Sequence, residues 1–230
     1  MKQAMGVLVA PVDVEVVPAI LRRTYEDIAV DWARVYTATL HVQIDITDGV
    51  FAGQGTFRDL KRFKQLPSHD KIELHMMVHT PSNYLTDIIE LNPARCIFHI
   101  ESFAGTDDLI GMYQTLRERT RTELALAINP ETPADYLEEY LPLLHFVLFM
   151  GYNPGWANQP INEKVFNKIA AWKAKHPEIP MAVDGHVNKE TIAHYVKSGA
   201  TQLAANTAIF GAGDPKENLR QLQLLAEASA

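Results

Sequence analysis

The feature that most constrains the fold of this 230-residue chain is a repeated alternation of two hydrophobic patterns. Short runs of apolar and β-branched residues, typical of buried strands, alternate with longer stretches in which apolar residues recur at helical spacing. The predicted strands are residues 6–11, 40–46, 72–78, 95–101, 123–128, 145–150, 181–184 and 201–204. This succession of βα units predicts an α/β fold in which a parallel sheet closes into a (β/α)8 TIM barrel. An open doubly wound sheet is the alternative.

The length and composition fit one such barrel. A hydrophobic content of 47% is sufficient to fill a core of this size. No low-complexity linker or shift in composition divides the chain, so we expect residues 1–230 to form a single domain. Two helix starts carry clear signals, because Thr132-Pro133 and Asp214-Pro215 each place a capping oxygen before a proline at the first helical position.

Charge and composition argue against several classes of partner. The net charge of -7 and the absence of any run of five or more Lys/Arg disfavour binding to nucleic acid. No stretch of about 18 apolar residues could cross a bilayer, and the apolar residues 6–11 are followed too early by Asp13 and Glu15 for a signal segment. The single Cys96 lies in an apolar run, where a buried, unreactive thiol is expected. One cysteine without a partner fits a reducing compartment. We therefore expect a soluble, cytoplasmic protein.

Ionisable side chains converge near the ends of several predicted strands. Because side chains alternate along a strand, each of the following pairs shares a face: Gln43 with Asp45, His75 with Met77, His99 with Glu101, and Ala182 with Asp184. In a (β/α)8 barrel these strand ends meet at the open, catalytic mouth. One such residue alone is commonly a helix cap or a structural group. Several together cost desolvation and repulsion unless a ligand, proton or metal offsets them, which favours an active site.

Four motifs, in their order and spacing, resemble the ribulose-phosphate 3-epimerase family. They are Asp45-Ile46-Thr47-Asp48-Gly49, His75-Met76-Met77-Val78, Met150-Gly151-Tyr152-Asn153-Pro154-Gly155 and Val183-Asp184-Gly185. Weaker matches, including Phe98-His99-Ile100-Glu101 and Gln159, extend the resemblance over nearly the whole chain. The resemblance implies a (β/α)8 barrel of the ribulose-phosphate-binding type that acts on a ketose or ketose phosphate.

The resemblance also implies one divalent metal ion (Zn, Mn, Fe, Co or Mg), bound by two His and two Asp. Three of those positions carry over to Asp45, His75 and Asp184. At the fourth, two residues before the first Asp, this chain has Gln43, whose amide oxygen is a harder and poorer ligand for zinc-like ions than imidazole. The metal site is therefore predicted to be weakened, altered or lost. His41 would lie about 13 Å from Asp45 along the strand, too far to substitute directly.

Substrate contacts are predicted from the same resemblance. Met77, Met150, Gly155 and Gln159 are expected to bind substrate, whereas Thr47 stands where the family usually has a methionine. The family opens with a strand that carries substrate-binding serines, and residues 7–11 offer none. We therefore expect recognition to differ at that edge of the site.

The phosphate-binding glycines of the family are altered at three places. The residues now expected to line that subsite are Ala157, Asn158, Gly185, His186, Asn206 and Thr207. The family grips phosphate with backbone N–H groups of glycine pairs, and each substitution adds a side chain where backbone would approach the anion. Asn158, His186, Asn206 and Thr207 offer side-chain donors instead, suited to phosphate, sulfate or a carboxylate.

If the family chemistry is retained, Asp45 and Asp184 transfer the proton at C3 of the ketose from opposite faces, with metal-assisted stabilisation of an enediolate. Two alternatives remain. One is another isomerase, aldolase or decarboxylase on the same barrel, although residues 46–48 lack the lysine of the decarboxylase pattern Asp-x-Lys-x-x-Asp. The other is a catalytically degenerate ligand-binding homologue. Exposed apolar patches on barrel helices commonly lead to homo-oligomers, which we also expect here.

Overall fold

The computed structural model describes residues 14–154 and 160–230, in which eight parallel strands close into a barrel in chain order. The strands are β1 (Glu15–Ile20), β2 (Val42–Thr47), β3 (Ile72–Met77), β4 (Arg95–His99), β5 (Glu123–Ile128), β6 (Phe146–Met150), β7 (Met181–Asp184) and β8 (Gln202–Ala205). The ring closes because β8 pairs with β1, from Glu15 opposite Gln202 to Pro18 opposite Ala205. The predicted (β/α)8 barrel is confirmed, and an open sheet is excluded.

Helical segments connect the strands. The α-helices are α1 (Tyr25–Val35), α2 (Leu85–Leu91), α3 (Thr106–Arg119), α4 (Lys164–Lys175), α5 (Ile192–Ser198), α6 (Thr207–Phe210) and α7 (Pro215–Glu227). Shorter 3₁₀ segments are Leu60–Gln65, His69–Lys71, Pro81–Tyr84, Ile100–Ser102 and Ala134–Leu143. Within residues 14–154 and 160–230, no helix combines the length and apolarity needed to cross a membrane.

The predicted position of the first strand was wrong. Residues 6–11 lie outside the described residues, and the place between β2 and β8 is taken by β1. Residues 6–11 read as the better strand because they are apolar and lack charge, whereas β1 begins with Glu15 and contains Pro18. Proline cannot donate to a sheet ladder and counts against a strand in any sequence pattern. Pairing on both sides overrides that local preference here.

One of the two predicted caps was wrong. Asp214 caps α7 as predicted, with its carboxylate accepting from Lys216 N at 3.2 Å and Pro215 in the first turn. Thr132 does not cap the next element, because Ala134–Leu143 is a 3₁₀ segment whose N-cap residue is Pro133. The Thr132 hydroxyl donates instead to the Glu101 carboxylate.

Strand alternation sorts side chains between two apolar regions. Ile44 and Ile46 point outward into the core between strands and helices. A smaller cluster fills the inside of the barrel: Ile97, Ala125, Ala127, Phe146, Leu148, Met150 and Ala182. Cys96 is fully buried, and burial raises its pKa well above the ordinary value, consistent with an unreactive thiol.

Polar residues occupy both ends of the barrel interior. At the amino-terminal end, Arg95 lies 3.3 Å from Glu15, 3.3 Å from Glu73 and 3.0 Å from Glu123. His41 belongs to this end as well, with Nδ1 2.9 Å from Glu15 Oε1. The charged side chains at this end form ion pairs with one another. The other polar group lies at the carboxyl ends of the strands, where (β/α)8 enzymes hold their active sites.

Candidate active site

Asp45, His75 and Asp184 meet at the carboxyl-terminal mouth of the barrel. Asp45 and His75 lie opposite each other in the β2–β3 register. His75 Nδ1 is 3.3 Å from Asp45 Oδ1 and 3.0 Å from Asp184 Oδ2. The His75 side chain is fully buried, and the carboxylates are 8% and 14% exposed. Two carboxylates from distant strands thus share one imidazole and retain limited access from the mouth.

Gln43 completes this cluster from the same face of β2 as Asp45. Its Nε2 donates to Asp45 Oδ1 at 2.7 Å and to Asp184 Oδ2 at 2.7 Å, and lies 3.4 Å from His75 Nδ1. Its Oε1 is buried and has no hydrogen-bond partner within residues 14–154 and 160–230. The position predicted to hold a substitute ligand therefore lies at the centre of the site.

A second imidazole and a third carboxylate support His75 from behind. His99 Nε2 is 3.0 Å from His75 Nε2, and the rings stack with centroids 5.1 Å apart. His99 Nδ1 lies 3.4 Å from Glu101 Oε2. Glu101 is itself held by Asn129 N at 2.8 Å and by the Thr132 hydroxyl. This chain of contacts fixes the ring orientation of His75.

Burial and charge set the protonation states of the cluster. Burial alone would lower the pKa of His75, but hydrogen bonds and charges from Asp184 and Asp45 raise it to about 10. Burial and the nearby His75 charge lower the pKa of His99, despite the opposing effect of Glu101. Burial and the negative charge of Asp184 raise the pKa of Asp45. Without a metal ion, His75 therefore carries the positive charge between the carboxylates, and His99 is the neutral partner that accepts its Nε2–H.

Gly151 and Gly185 tie the ends of β6 and β7 together. Gly151 N donates to Asp184 O at 2.7 Å, and the Tyr195 hydroxyl donates to Gly185 O at 2.8 Å. A Cβ at Gly151 would lie 2.4 Å from Gly185 O and 2.5 Å from Tyr195 Oη. Only glycine fits at this position, and the contact sets where Asp184 stands.

Apolar side chains line the mouth beside the carboxylates. Met77 lies opposite Thr47 in the β2–β3 register, and Met150 lies opposite Asp184 in the β6–β7 register. Both methionines are almost fully buried, at 4% and 3% exposed. Sequence reasoning gave no role to Tyr152, although its pKa is raised by burial and by the charges of Asp184 and Asp45. Its position directly after Met150 and Gly151, at the end of β6, is the sequence feature that could have placed it at the site.

A cavity of about 210 Å³ adjoins Asp184 on the side where phosphate was expected. Its walls include Tyr152, Asp184, Gly185, His186, Asn188, Asn206 and Thr207. Gly185 and His186 both have positive φ, at 119° and 57°, so a side chain is present where the backbone favours glycine. Asn188 was not predicted, and its Oδ1 accepts from Glu190 N and Thr191 N.

The side chain of Asn206 is partly committed elsewhere. Its Nδ2 donates to Ala19 O at 2.7 Å, which fastens the loop after β8 to β1. Thr207 Oγ1 lies 3.4 Å from Asn206 Oδ1. The Asn206 amide is therefore a poorer donor for an anion than its sequence position suggested. Four other predicted contacts lie outside the described residues: Gly155, Ala157, Asn158 and Gln159.

The cluster geometry fits a divalent metal ion. Ligand atoms of Asp45, His75 and Asp184 all lie within 4.8 Å of one another. The distances from His75 Nδ1 and from the Gln43 amide nitrogen to the carboxylate oxygens run from 2.7 to 3.3 Å. Ligands bonded to one ion at about 2.1 Å are themselves about 3.0–3.5 Å apart in octahedral or tetrahedral geometry. The fourth ligand position is occupied by an amide, which can ligate only through its oxygen.

Comparisons with known proteins agree with this geometry. The chain is 30% identical over 217 residues to the ribulose-phosphate 3-epimerase of Eremothecium gossypii, covering 88% of each chain. It is 30% identical over 195 residues to that of Methanocaldococcus jannaschii, covering 80% of this chain and 79% of the relative.

Solved structures share the fold at low sequence identity. A 3-hexulose-6-phosphate synthase gives a TM-score of 0.68 at 16% identity, covering 92% of this chain and 99% of that one. KGPDC from Streptococcus mutans gives a TM-score of 0.69 at 11% identity, covering 93% of this chain and 97% of that one. The sequence model of the Ribulose-phosphate 3 epimerase family matches residues 15–210, from the first strand of the barrel to the end of α6. The chain belongs to the ribulose-phosphate 3-epimerase family.

Proposed function

We propose that this protein epimerises a ketose phosphate at C3, with Asp45 and Asp184 as the two proton-transfer groups. The observation that carries the proposal is the meeting of these carboxylates across one mouth, each bonded to His75 and Gln43. Epimerisation requires that a proton leave one face of a carbon and return on the other. Two carboxylates on opposite sides of a substrate can do this without turning the substrate over.

The described residues support distinct roles in this reaction. The raised pKa of Asp45, caused by burial and by Asp184, brings this carboxyl closer to the working pH and makes proton exchange easier. His75 holds both carboxylates in place, and the contact with His99 fixes its ring. Met77 and Met150 keep water from the reacting carbon.

Asp45, His75 and Asp184 would hold one divalent ion, with the Gln43 oxygen as the fourth donor. His75 would ligate through Nδ1 as a neutral imidazole, so ion binding would release the Nδ1 proton to solvent. Such an ion supplies positive charge that stabilises negative charge developing on the substrate oxygens. We expect the site to bind the ion more weakly than a site with two imidazoles, because an amide oxygen is the poorer ligand.

The substrate class follows from the cavity next to Asp184. His186 and Thr207 line a space of about 210 Å³ beside the reactive carboxylate, and both side chains carry hydrogen-bond donors. A phosphate placed there would leave the rest of a short sugar chain over Asp45 and Asp184. Ketose phosphates of about five carbons are therefore the expected substrates, and D-ribulose 5-phosphate is the first to assay.

The test is conversion of D-ribulose 5-phosphate to its C3 epimer, followed by NMR with added Mg²⁺, Mn²⁺ or Zn²⁺. Asp45→Asn and Asp184→Asn should each lower kcat by about 10²–10⁴-fold. Asp70→Asn is the matched control, because Asp70 is exposed and precedes β3 at the opposite end of the barrel. No epimerisation by the unaltered protein with any of these ions would refute the proposal.

A further inference from the structure

The amide of Gln43 is bonded at one end only. Its nitrogen makes two 2.7 Å hydrogen bonds, to Asp45 and Asp184. Both acceptors are carboxylates, and such charge-assisted bonds are about twice as strong as neutral ones. The oxygen of the same amide is buried and has no partner in the described part of the chain. A buried polar atom without a partner costs about 1–3 kcal/mol, so its persistence needs a reason.

The observed orientation of this amide excludes metal ligation by Gln43. An amide nitrogen offers two hydrogens and no available lone pair, whereas the oxygen offers two lone pairs. The two ends are nearly equal in size, so a turn of about 180° about the last side-chain bond exchanges them without further space. After that turn, Oε1 would face two carboxylate oxygens, which is unfavourable unless a cation lies among the three.

We propose that the Gln43 amide turns over when a divalent cation binds: Nε2 bonds the two carboxylates in the absence of the ion, and Oε1 ligates the ion when it is present. This rests on the proposed metal site. Because binding requires the loss of two charge-assisted hydrogen bonds, the ion is held weakly and exchanges readily. The resulting donor set of three oxygens and one nitrogen favours Mn²⁺ or Mg²⁺ over Zn²⁺, compared with a set containing two imidazoles.

The side-chain amide resonances of Gln43 report the turn directly. In ¹⁵N-labelled, chelator-treated protein, the two NH₂ protons should exchange slowly with water, because both are bonded to carboxylates that are only 8% and 14% exposed. Saturation with Mg²⁺ should shift these resonances and speed their exchange. The amide of Gln223 is an internal control, because Nε2 donates to Val14 O and Oε1 accepts from Val16 N, at the other end of the barrel. Gln43 resonances as unmoved as those of Gln223 would overturn the proposal.

Two variants test the energetic consequence. Gln43→Glu replaces the hydrogen-bond donor by an acceptor, so the chelator-treated variant should melt at a lower temperature than the chelator-treated unaltered protein. Added Mn²⁺ should raise the Tm of the variant by more than it raises that of the unaltered protein. Gln43→His already presents a lone pair and should bind Zn²⁺ about tenfold more tightly or better, with a smaller gain for Mg²⁺. Unchanged Zn²⁺ affinity in Gln43→His, measured by calorimetry, would contradict the proposal. The NMR result on the unaltered protein decides the question even if a variant fails to fold.

Metal binding and amide turnover are measured without substrate, so they can be separated from catalysis. An amide that turns in a protein that does not epimerise D-ribulose 5-phosphate would support this inference and refute the proposed function. Epimerisation by a protein whose Gln43 amide does not respond to metal would support the proposed function and refute this inference.

Discussion

Replacement of Gly151 by alanine should damage stability and catalysis together. The added Cβ would lie 2.4 Å from Gly185 O and 2.5 Å from Tyr195 Oη. Ordinary contact requires a separation of about 3.4 Å, so these atoms must move apart by about 1 Å. One neighbour is backbone directly after Asp184, so the shift cannot be absorbed by a flexible side chain.

The expected magnitudes follow from this displacement. Overpacking of this kind costs about 1–3 kcal/mol of the free energy of unfolding. For a chain of this length, that lowers Tm by about 2–12 °C. Asp184 is a proposed proton-transfer group, and a 1 Å displacement of such a group can cost about 100-fold in rate, so kcat should fall by about that factor. Differential scanning calorimetry and the C3-epimerase assay measure the two effects.

Gly111→Ala is the matched control, because a Cβ at Gly111 would have no atom within 4 Å. Gly111 lies inside α3, where alanine is favoured over glycine by about 0.5–1 kcal/mol. This variant should melt slightly higher and keep its kcat. A Gly151→Ala protein with unchanged Tm would refute the packing argument. A lowered Tm with unchanged kcat would refute the link between Gly151 and the position of Asp184.

Three further predictions address other parts of the molecule. In chelator-treated protein, the pKa of His75 is raised from 6.5 to about 10. The stabilisation of the fold by protonated His75 is therefore complete below pH 6.5 and lost as pH rises through 10. Urea unfolding at a series of pH values should show this loss, and His75→Gln should depend less on pH over the same range. His186→Ala should raise KM for D-ribulose 5-phosphate but leave KM for unphosphorylated ribulose unchanged; an equal rise for both sugars would argue against a phosphate contact. Arg95→Met leaves the buried Glu73 without its partner and should cost about 3–5 kcal/mol of unfolding free energy, with kcat of the folded protein unchanged; unaltered thermal stability would contradict this.

Strand alternation predicted which side chains of the candidate site face the barrel interior. Because Ile44 and Ile46 had to face the helices, Asp45 had to face the barrel interior, and the same argument applied to His75 and Asp184. Such reasoning predicts on which face of its strand a side chain lies and at which end of the barrel. It does not give the register between strands, which decides that Asp45 stands opposite His75.

Other features could not be predicted because they depend on tertiary contacts. Nothing local distinguishes Tyr195 from an ordinary core residue of α5, yet its hydroxyl bonds Gly185 O at the site. The first strand was misplaced because Pro18 and Glu15 weaken the strand pattern that pairing on both sides restores. Alternation predicted that Gln43 faces inward, but the preference for its nitrogen over its oxygen depends on two carboxylates brought from different strands.

The most direct test of the two-carboxylate mechanism is stereospecific hydrogen exchange at C3. Each epimer of the ketose phosphate is incubated in D₂O with Asp45→Asn or Asp184→Asn, and deuterium at C3 is followed by NMR. If the two carboxylates serve opposite faces, each variant should exchange the C3 hydrogen of only one epimer, and the two variants should select different epimers. Exchange of the same epimer by both variants, or of both epimers by either one, would contradict the assignment of Asp45 and Asp184 as the proton-transfer pair.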